Sequence, residues 1–386
     1  MDLASLHAIV VGGATAGAAA ALLLARAGAR VTLLERVADP RAVGAGIALA
    51  ENGLAVLESV GLGPAIAAVG TAVGRPRIVD GAGRILLAPP GPPPRGLMVR
   101  RAALQRLLLD AVAAEPGITC RFGAEVVASD RAGEVVVETA AGVERVRGDL
   151  VIGADGVHSR LRAAGDHGAR VSKPGIAYLR ALVTGVVARG EEAWTAAGLF
   201  GSFAVDGGTY VFASAGSRAV RRALDARDLD ALRAAWADAY APAAELLGAV
   251  ARWDDLLINR VTRVRCARWF DGRQVLVGDA VHAMAPNLGQ GANSALVDVA
   301  VLLDELRAAA TMSEAFARYQ RRRQPAVAWV ARTAARLGGL AELTHPVARW
   351  LRDRVVMPLA ARRAGDAGMA SVLQEPTAAL LAIGRA

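Results

Sequence analysis

The chain opens on a strand, a glycine turn and a helix in immediate succession, and few layouts constrain a fold more. Ala8-Ile9-Val10-Val11 is an apolar run suited to a buried strand. Gly12-Gly13-Ala14-Thr15-Ala16-Gly17 follows, then a helical run from Ala18 to Ala27 that Gly28 stops. Val31 to Leu34 reads as a second strand ending at Glu35. A strand–turn–helix–strand unit with an acidic residue about 20 positions beyond its glycines is the layout of a parallel α/β domain that grips a dinucleotide. Gly12 allows the tight turn and Gly17 allows close helix–strand packing. Ala14 stands where the middle glycine is usual, and its methyl group crowds the pyrophosphate position.

A second segment, Val275 to Asp298, completes that ligand site. Val275, Leu276 and Val277 form an apolar strand that runs into Gly278-Asp279. A loop carrying His282 and Pro286 follows, and Gly289 and Gly291 open an apolar helix. A carboxylate at a strand end can hold sugar hydroxyls. A glycine-rich helix start offers bare N–H groups and a positive dipole end to an anion. A ligand with a polyol and a delocalised anion is required, and flavin adenine dinucleotide (FAD) fits.

The uncharged run Ala8 to Ala25 approaches the length of a membrane span. It consists largely of Ala and Gly, and its flank has Asp2 and no basic residue, so neither a span nor an export signal is expected. The 386 residues allow one to three domains. Two distant cysteines, Cys120 and Cys266, form no metal-ligand spacing, so no metal is expected and a reducing cytoplasm is favoured. The net charge is +9, but Lys173 is the only lysine and the arginines are scattered apart from Arg321-Arg322-Arg323. No nucleic-acid motif accompanies them, which excludes that class of partner.

Further along, Asn52 to Val60 reads as a helix after a Gly44-Ala45-Gly46 loop. Ala88 to Gly96 is a proline-rich spacer. Arg101 starts an amphipathic helix with Leu104, Leu107, Leu108 and Val112 on one side. Glu134 to Thr139 and Val143 to Arg147 form a hairpin, and Leu150 to Ile152 is a strand. From Pro174 to Val264 the pattern is strand-rich, with Ile176 to Val187, Gly198 to Val205 and Thr209 to Ala213 as strands and a short helix near Asp228 to Trp236. Beyond Met312 the chain is helical. The fold class is therefore α/β: a Rossmann-like FAD-binding domain (residues 1–170 and 265–325), an interleaved β-sheet substrate domain (171–264, with strands possible from 75–100) and a helical C-terminal segment (326–386).

Three motifs, in this order, resemble the FAD-dependent monooxygenases of the aromatic-hydroxylase class, the para-hydroxybenzoate hydroxylase fold. They are the glycine turn with Glu35; Asp155-Gly156-Val157-His158-Ser159 with Arg162; and Gly278-Asp279 through His282, Pro286 and Gly289-Gln290-Gly291. Gly46-Ile47 with Asn52, Arg101 with Leu104, and Tyr319 with Arg323 and Pro325 add weaker matches. The resemblance implies that Gly12, Gly13, Ala14, Ala16 and Gly17 line the pyrophosphate. It implies that Glu35 and Arg36 hold the adenosine half and that Val127 contacts adenine. Arg101 reaches the ribityl or phosphate region, Asp155 braces the pyrophosphate side, and Asp279 binds the ribityl chain. Gly289, Gln290, Gly291 and Ala292 lie against the pyrimidine end. Val281 and Val297 depart from the commoner residues without removing a flavin contact.

The implied activity is NAD(P)H- and O2-dependent oxygen insertion into an aromatic or polycyclic small molecule through a flavin hydroperoxide. No second glycine turn is visible, which fits what the resemblance implies: NAD(P)H binds transiently, without a Rossmann domain of its own. His282, Pro286 and Arg180 are the catalytic candidates. His282 is either a base or a residue that shapes its loop, and Arg180 either reaches substrate and flavin or faces solvent. Phe203 and Tyr210 either line the substrate pocket or belong to the core. Asp298 reads as a helix-surface or packing residue, and the triple Arg as a solvated helix face. A monomer or homodimer is expected. An epoxidase or reductase acting on a lipid-like substrate, and a non-catalytic flavin or ligand carrier, remain as alternatives. A halogenase is disfavoured, because none of the six tryptophans sits in its Trp-x-Trp-x-Ile-Pro segment.

Overall fold

The computed structural model describes residues 1–40, 45–75, 77–89, 91–363 and 372–384. Gly44 of the expected loop and Pro90 of the proline-rich spacer lie outside the described residues. The apolar run near the N-terminus forms the strand His7–Val11 at the interior of a six-stranded sheet. Across that sheet the order is Phe270–Asp271, Gln274–Leu276, Leu150–Gly153, His7–Val11, Arg30–Glu35 and Ile118–Phe122. All neighbours pair in parallel except Phe270–Asp271 at the edge. A parallel sheet is covered on both faces, which explains its near-continuous apolar strands. The helix Thr15–Arg26 covers it and packs against the helix Gly291–Ala308, bringing the two ends of the sequence signature together.

A seven-stranded sheet holds most of the central region, in the order Leu257–Arg260, Ala177–Val183, Gly208–Ser214, Leu199–Val205, Glu191–Trp194, Ile78–Asp80 and Ile85–Leu87. The last two strands come from the stretch after residue 75. One face of this sheet is closed by helices Arg218–Ala226, Leu229–Ala239 and Ala243–Gly248, with Trp236 and Phe200 at the centre of that layer. Only the middle helix matches an expectation. The first is started by the Ser217 hydroxyl, which accepts from the Val220 N–H, a cap not read from the sequence.

The strand expected over Ile176 to Val187 ends at Val183, because Gly185 adopts a left-handed φ of +77° that a strand cannot continue through. The tail helix Met312–Ala341 runs 30 residues and lies along Gly291–Ala308. Among the described residues no helix is long and apolar enough to cross a membrane.

Candidate active site

Gly12 has φ +99°, and a Cβ there would lie 2.5 Å from the Ala154 carbonyl oxygen; one at Gly17 would lie 1.8 Å from the Gly12 oxygen. Both positions are therefore restricted to glycine, one by conformation and both by approach. Ala14 caps the helix Thr15–Arg26 without a side-chain hydrogen bond, so the first-turn N–H groups are left for another acceptor. The Glu35 carboxylate accepts from Gly13 N at 2.7 Å and Val37 N at 2.9 Å, which fixes it at the mouth of the turn. Gln105, buried on the helix Arg101–Ala114, donates to the Gly13 carbonyl at 2.7 Å. Gln105 was not singled out in the sequence, where it sits among leucines as an ordinary helix position.

Asp279 is exposed at the start of the short helix Asp279–His282, just beyond the strand Gln274–Leu276, and its carboxylate has no partner among the described residues. The turn before it is held from behind. The Asp298 carboxylate accepts from Gly278 N at 3.0 Å and meets His282 Nε2 at 2.5 Å through one oxygen. Its other oxygen accepts from Arg323 Nε at 2.9 Å. Burial alone would raise the Asp298 carboxyl, but the charges of His282 and Arg323 outweigh it and hold the group below the ordinary carboxylate range. His282 is 5% exposed, its Nδ1 is buried without a partner among the described residues, and its ring lies against Trp269. The ring thus braces the loop from inside and does not face open space.

Of the two readings of Asp298, the helix-surface one fails and the packing one agrees with the structure: the residue is wholly buried at the centre of a charged network. One expectation is corrected outright. The triple Arg is not a solvated face, because Arg323 is fully buried and Arg322 pairs with Asp304, Glu305 and Glu375. Only Arg321 is exposed.

Gly289 is left-handed at φ +61°, and Gln290 caps the helix Gly291–Ala308 with no side-chain hydrogen bond. A Cβ added at Gly291 would meet nothing within 4 Å, so the helix start looks onto open space. Asn293 fixes its direction. Its amide donates to Ala48 O at 2.9 Å and Gly289 O at 2.8 Å, and its oxygen accepts from Ala50 N at 3.0 Å. Asn52, wholly buried, donates to the Gln290 side chain at 3.2 Å. Pro286 begins a short 3-10 turn just upstream. Ala292 follows in the helix, half-buried.

The open face of the seven-stranded sheet approaches this helix start. Tyr178 accepts a hydrogen bond from Asn287 at 2.9 Å, two residues before Gly289. Tyr210 packs its ring on Gly46, where a Cβ would come within 2.5 Å of it. Arg180 lies on the same strand face and donates to the Asn259 oxygen at 2.8 Å. Tyr210 stacks on Phe212 at 5.4 Å, and Phe203 stacks on Phe212 at 5.9 Å. Phe203 also borders a cleft of about 150 Å³ with Val73 and Met98.

Other candidates lie further out. Arg36 and Arg101 are exposed at the rim of the glycine turn and the sheet junction respectively. Val127 is 37% exposed on the strand Glu125–Ser129 of a separate three-stranded sheet. Asp155 accepts from Arg160 N at 2.7 Å and Leu161 N at 3.2 Å, so it holds the first turn of the helix Arg160–Ala164, whose N-cap is Ser159, and burial raises its carboxyl against those hydrogen bonds. Arg162 ties the same segment to Ala280 O at 2.7 Å.

Two uncapped helix N-termini, an exposed unpaired carboxylate at Asp279, glycines restricted by close approach and open space at Gly291 together fit a dinucleotide flavin. A family model described as "FAD binding domain" matches residues 5–334. The chain belongs to this family. It is an FAD-dependent monooxygenase with NAD(P)H as reductant, which sets aside the non-catalytic carrier. Among relatives, 3-amino-4-hydroxybenzoate 2-monooxygenase PtmB3 of Streptomyces platensis is 32% identical over 92% of this chain and 92% of its own. Aurachin C monooxygenase/isomerase of Stigmatella aurantiaca is 28% identical over 93% of this chain and 95% of its own. In fold, the chain is similar to Klebsiella pneumoniae HpxO complexed with FAD and uric acid, at TM-score 0.80 and 23% identity over 96% of this chain and 97% of that one.

Proposed function

We propose that this monooxygenase inserts one oxygen atom into an aromatic or polycyclic small molecule held between the open face of the seven-stranded sheet and the start of the helix Gly291–Ala308. The observation that carries the reading is the aromatic stack of Tyr210, Phe212 and Phe203 on a face whose neighbour, Tyr178, is tied to the loop leading into that helix. Relatives named for aminohydroxybenzoate and aurachin oxygenation support it.

In this reading the pyrophosphate lies at the turn Gly12 to Gly17, with Glu35 and Arg36 toward adenosine and Asp279 toward the ribityl chain. Gly289, Gln290, Gly291 and Ala292 lie toward the pyrimidine edge. FAD, reduced by NAD(P)H, supplies the activated oxygen. The chain's own task is to orient the substrate and exclude water. The uncapped N–H groups and roughly half a positive charge at the helix start favour negative charge on the adjoining ring edge. His282 and Asp298 act behind the loop by holding Gly278 and Asp279 in place, and Pro286 fixes the loop's φ beside them. Arg180 and Tyr210 border the substrate on the sheet side.

A panel of phenols and fused aromatics, scored by product mass together with NAD(P)H and peroxide, tests the reading. A mass gain of one oxygen with at least one aromatic supports it. NAD(P)H oxidation that yields only peroxide across the panel, alongside oxygenation of an aliphatic alkene, overturns the substrate class.

A further inference from the structure

The strand register lines up a row of side chains across the open face of the seven-stranded sheet. Arg180 pairs with Phe212, Phe212 with Gly201, and Gly201 with Glu192. Side chains alternate faces along a strand, so these residues share the face that carries Tyr178 and Tyr210. Gly201 leaves the room above it to the Phe212 ring: a Cβ there would lie 2.3 Å from the ring's Cζ. Arg180 and Glu192 thus flank Phe212 at opposite ends of the row, three strand spacings or roughly 14 Å apart.

The Glu192 end is covered by the tail helix. Leu337, Leu340 and Ala341 from the end of the tail helix close over Trp194, Leu199 and Phe212. Protein surrounds Glu192 deeply enough that desolvation raises its carboxyl to about 7, yet the residue keeps accessible surface. Among the described residues its carboxylate receives one hydrogen bond, a long one from Trp194 Nε1 to Oε2 at 3.4 Å, so Oε1 has no protein partner there. Glu191, its neighbour, points to the opposite face and is paired with Arg77 and Tyr240. Glu342 Oε1 is buried without a partner among the described residues, and both carboxylates lie within electrostatic reach of the Tyr178 phenol. Glu192 Oε1, which no protein donor holds, is thus left as an acceptor for a donor on a bound molecule.

We propose that Glu192 is a substrate-recognition residue: its free carboxylate oxygen accepts a hydrogen bond from an O–H or N–H borne by the aromatic ring stacked along Phe212, so the substrates are phenols, aryl amines or N–H heteroaromatics. This rests on the pocket of the proposed function and names the substrate class that pocket selects. The role is positioning and specificity, and no bond is made or broken at Glu192.

The test uses the FAD-loaded protein and isothermal titration with 2-naphthol and its donor-capped counterpart 2-methoxynaphthalene. Wild type is expected to bind 2-naphthol about tenfold more tightly, the size of one hydrogen bond to a charged or buried acceptor. Glu192→Leu should reduce that preference to within about twofold with FAD content unchanged, while Glu192→Gln, which keeps an acceptor oxygen, should retain at least a third of it. Equal binding of the two probes by wild type, or an unchanged preference in Glu192→Leu, overturns the assignment. Phe203→Trp separates the two levels. If it weakens both probes while Glu192→Leu changes nothing, the pocket stands and the Glu192 role falls. If it leaves both probes unaffected, the pocket itself is misplaced and the Glu192 role falls with it.

Discussion

Arg323 donates its Nε–H to the Asp298 carboxylate at 2.9 Å, with both side chains wholly out of solvent. The same carboxylate holds Gly278 N and His282, so a cation on the tail helix is coupled to the turn that presents Asp279. Arg323 also reaches Ser294 O at 3.3 Å and the Gln374 side chain at 2.6 Å, which draws the C-terminal segment into the same network.

Removing one partner of such a pair strands a buried charge. Asp298→Ala is expected to destabilise the protein by about 3–5 kcal/mol and to loosen FAD through the freed Gly278–Asp279 turn. The double variant Asp298→Ala/Arg323→Leu should recover part of that loss relative to the sum of Asp298→Ala and Arg323→Leu, since it leaves no unpaired buried arginine. Denaturant midpoints of the three variants decide the point, and a double variant no better than the sum of the singles contradicts it.

The parts of the site legible in the sequence are those where local geometry forces the residue. Gly12 and Gly17 are readable because a turn and a close approach each demand glycine, wherever the rest of the chain goes. Arg323 was not readable as buried. Three successive residues on a helix point in directions about 100° apart, so at least one of Arg321, Arg322 and Arg323 turns inward, but its buried partner, Asp298, lies on another helix. Glu192 was hidden for a similar reason. Period-two alternation places Glu191 and Glu192 on opposite faces, and only the sheet order shows which face looks toward the tail helix.

The cofactor assignment is checked at its two carboxylates. Hydrogen bonds to a charged acceptor contribute roughly 1.5–3 kcal/mol each. Asp279→Ala, which loses no partner among the described residues, should fold normally and purify largely colourless. Glu35→Ala should weaken FAD more than FMN, because FMN lacks the adenosine half. Flavin content after dialysis is the measurement, and two fully yellow variants refute the site.

Ala14 offers a subtler check. It caps the first helix at extended dihedrals (φ −76°, ψ −171°) that glycine also adopts freely. Removing its methyl group opens the approach to the pyrophosphate, so Ala14→Gly should bind FAD at least as tightly as the parent. A marked fall in affinity by fluorescence titration shows that the ligand does not approach this turn.

Glu192 gives stability a definite pH dependence. Burial raises its carboxyl from 4.5 to about 7, so the folded state keeps a proton that the unfolded chain has already released. The folded state binds more protons in that window, and stability therefore falls as pH rises from about 4.5 to about 7. The gain of Glu192→Gln over wild type should grow across the same window and level off above it. Glu342 and Tyr178 are shifted upward as well, but they are present in both proteins and cancel in the difference. A pH-independent difference in urea midpoint contradicts the assignment.

Gly291 separates fold from function most sharply. A Cβ there meets no protein atom within 4 Å, so Gly291→Val is expected to fit the fold, and it carries no helix-propensity cost because valine is no poorer a helix former than glycine. The same space is where the flavin's pyrimidine edge is proposed to lie, against the uncapped N–H groups of the helix start. The substitution should thus leave the thermal midpoint nearly unchanged while lowering FAD occupancy, or keep flavin and divert most NAD(P)H oxidation to hydrogen peroxide. Thermal unfolding, flavin content, product and peroxide are measured on one preparation with an oxygenated substrate. Unchanged flavin content and coupling in a normally folded variant place the cofactor elsewhere, because a valine that the protein tolerates cannot also be tolerated by a ring pressed against the same backbone.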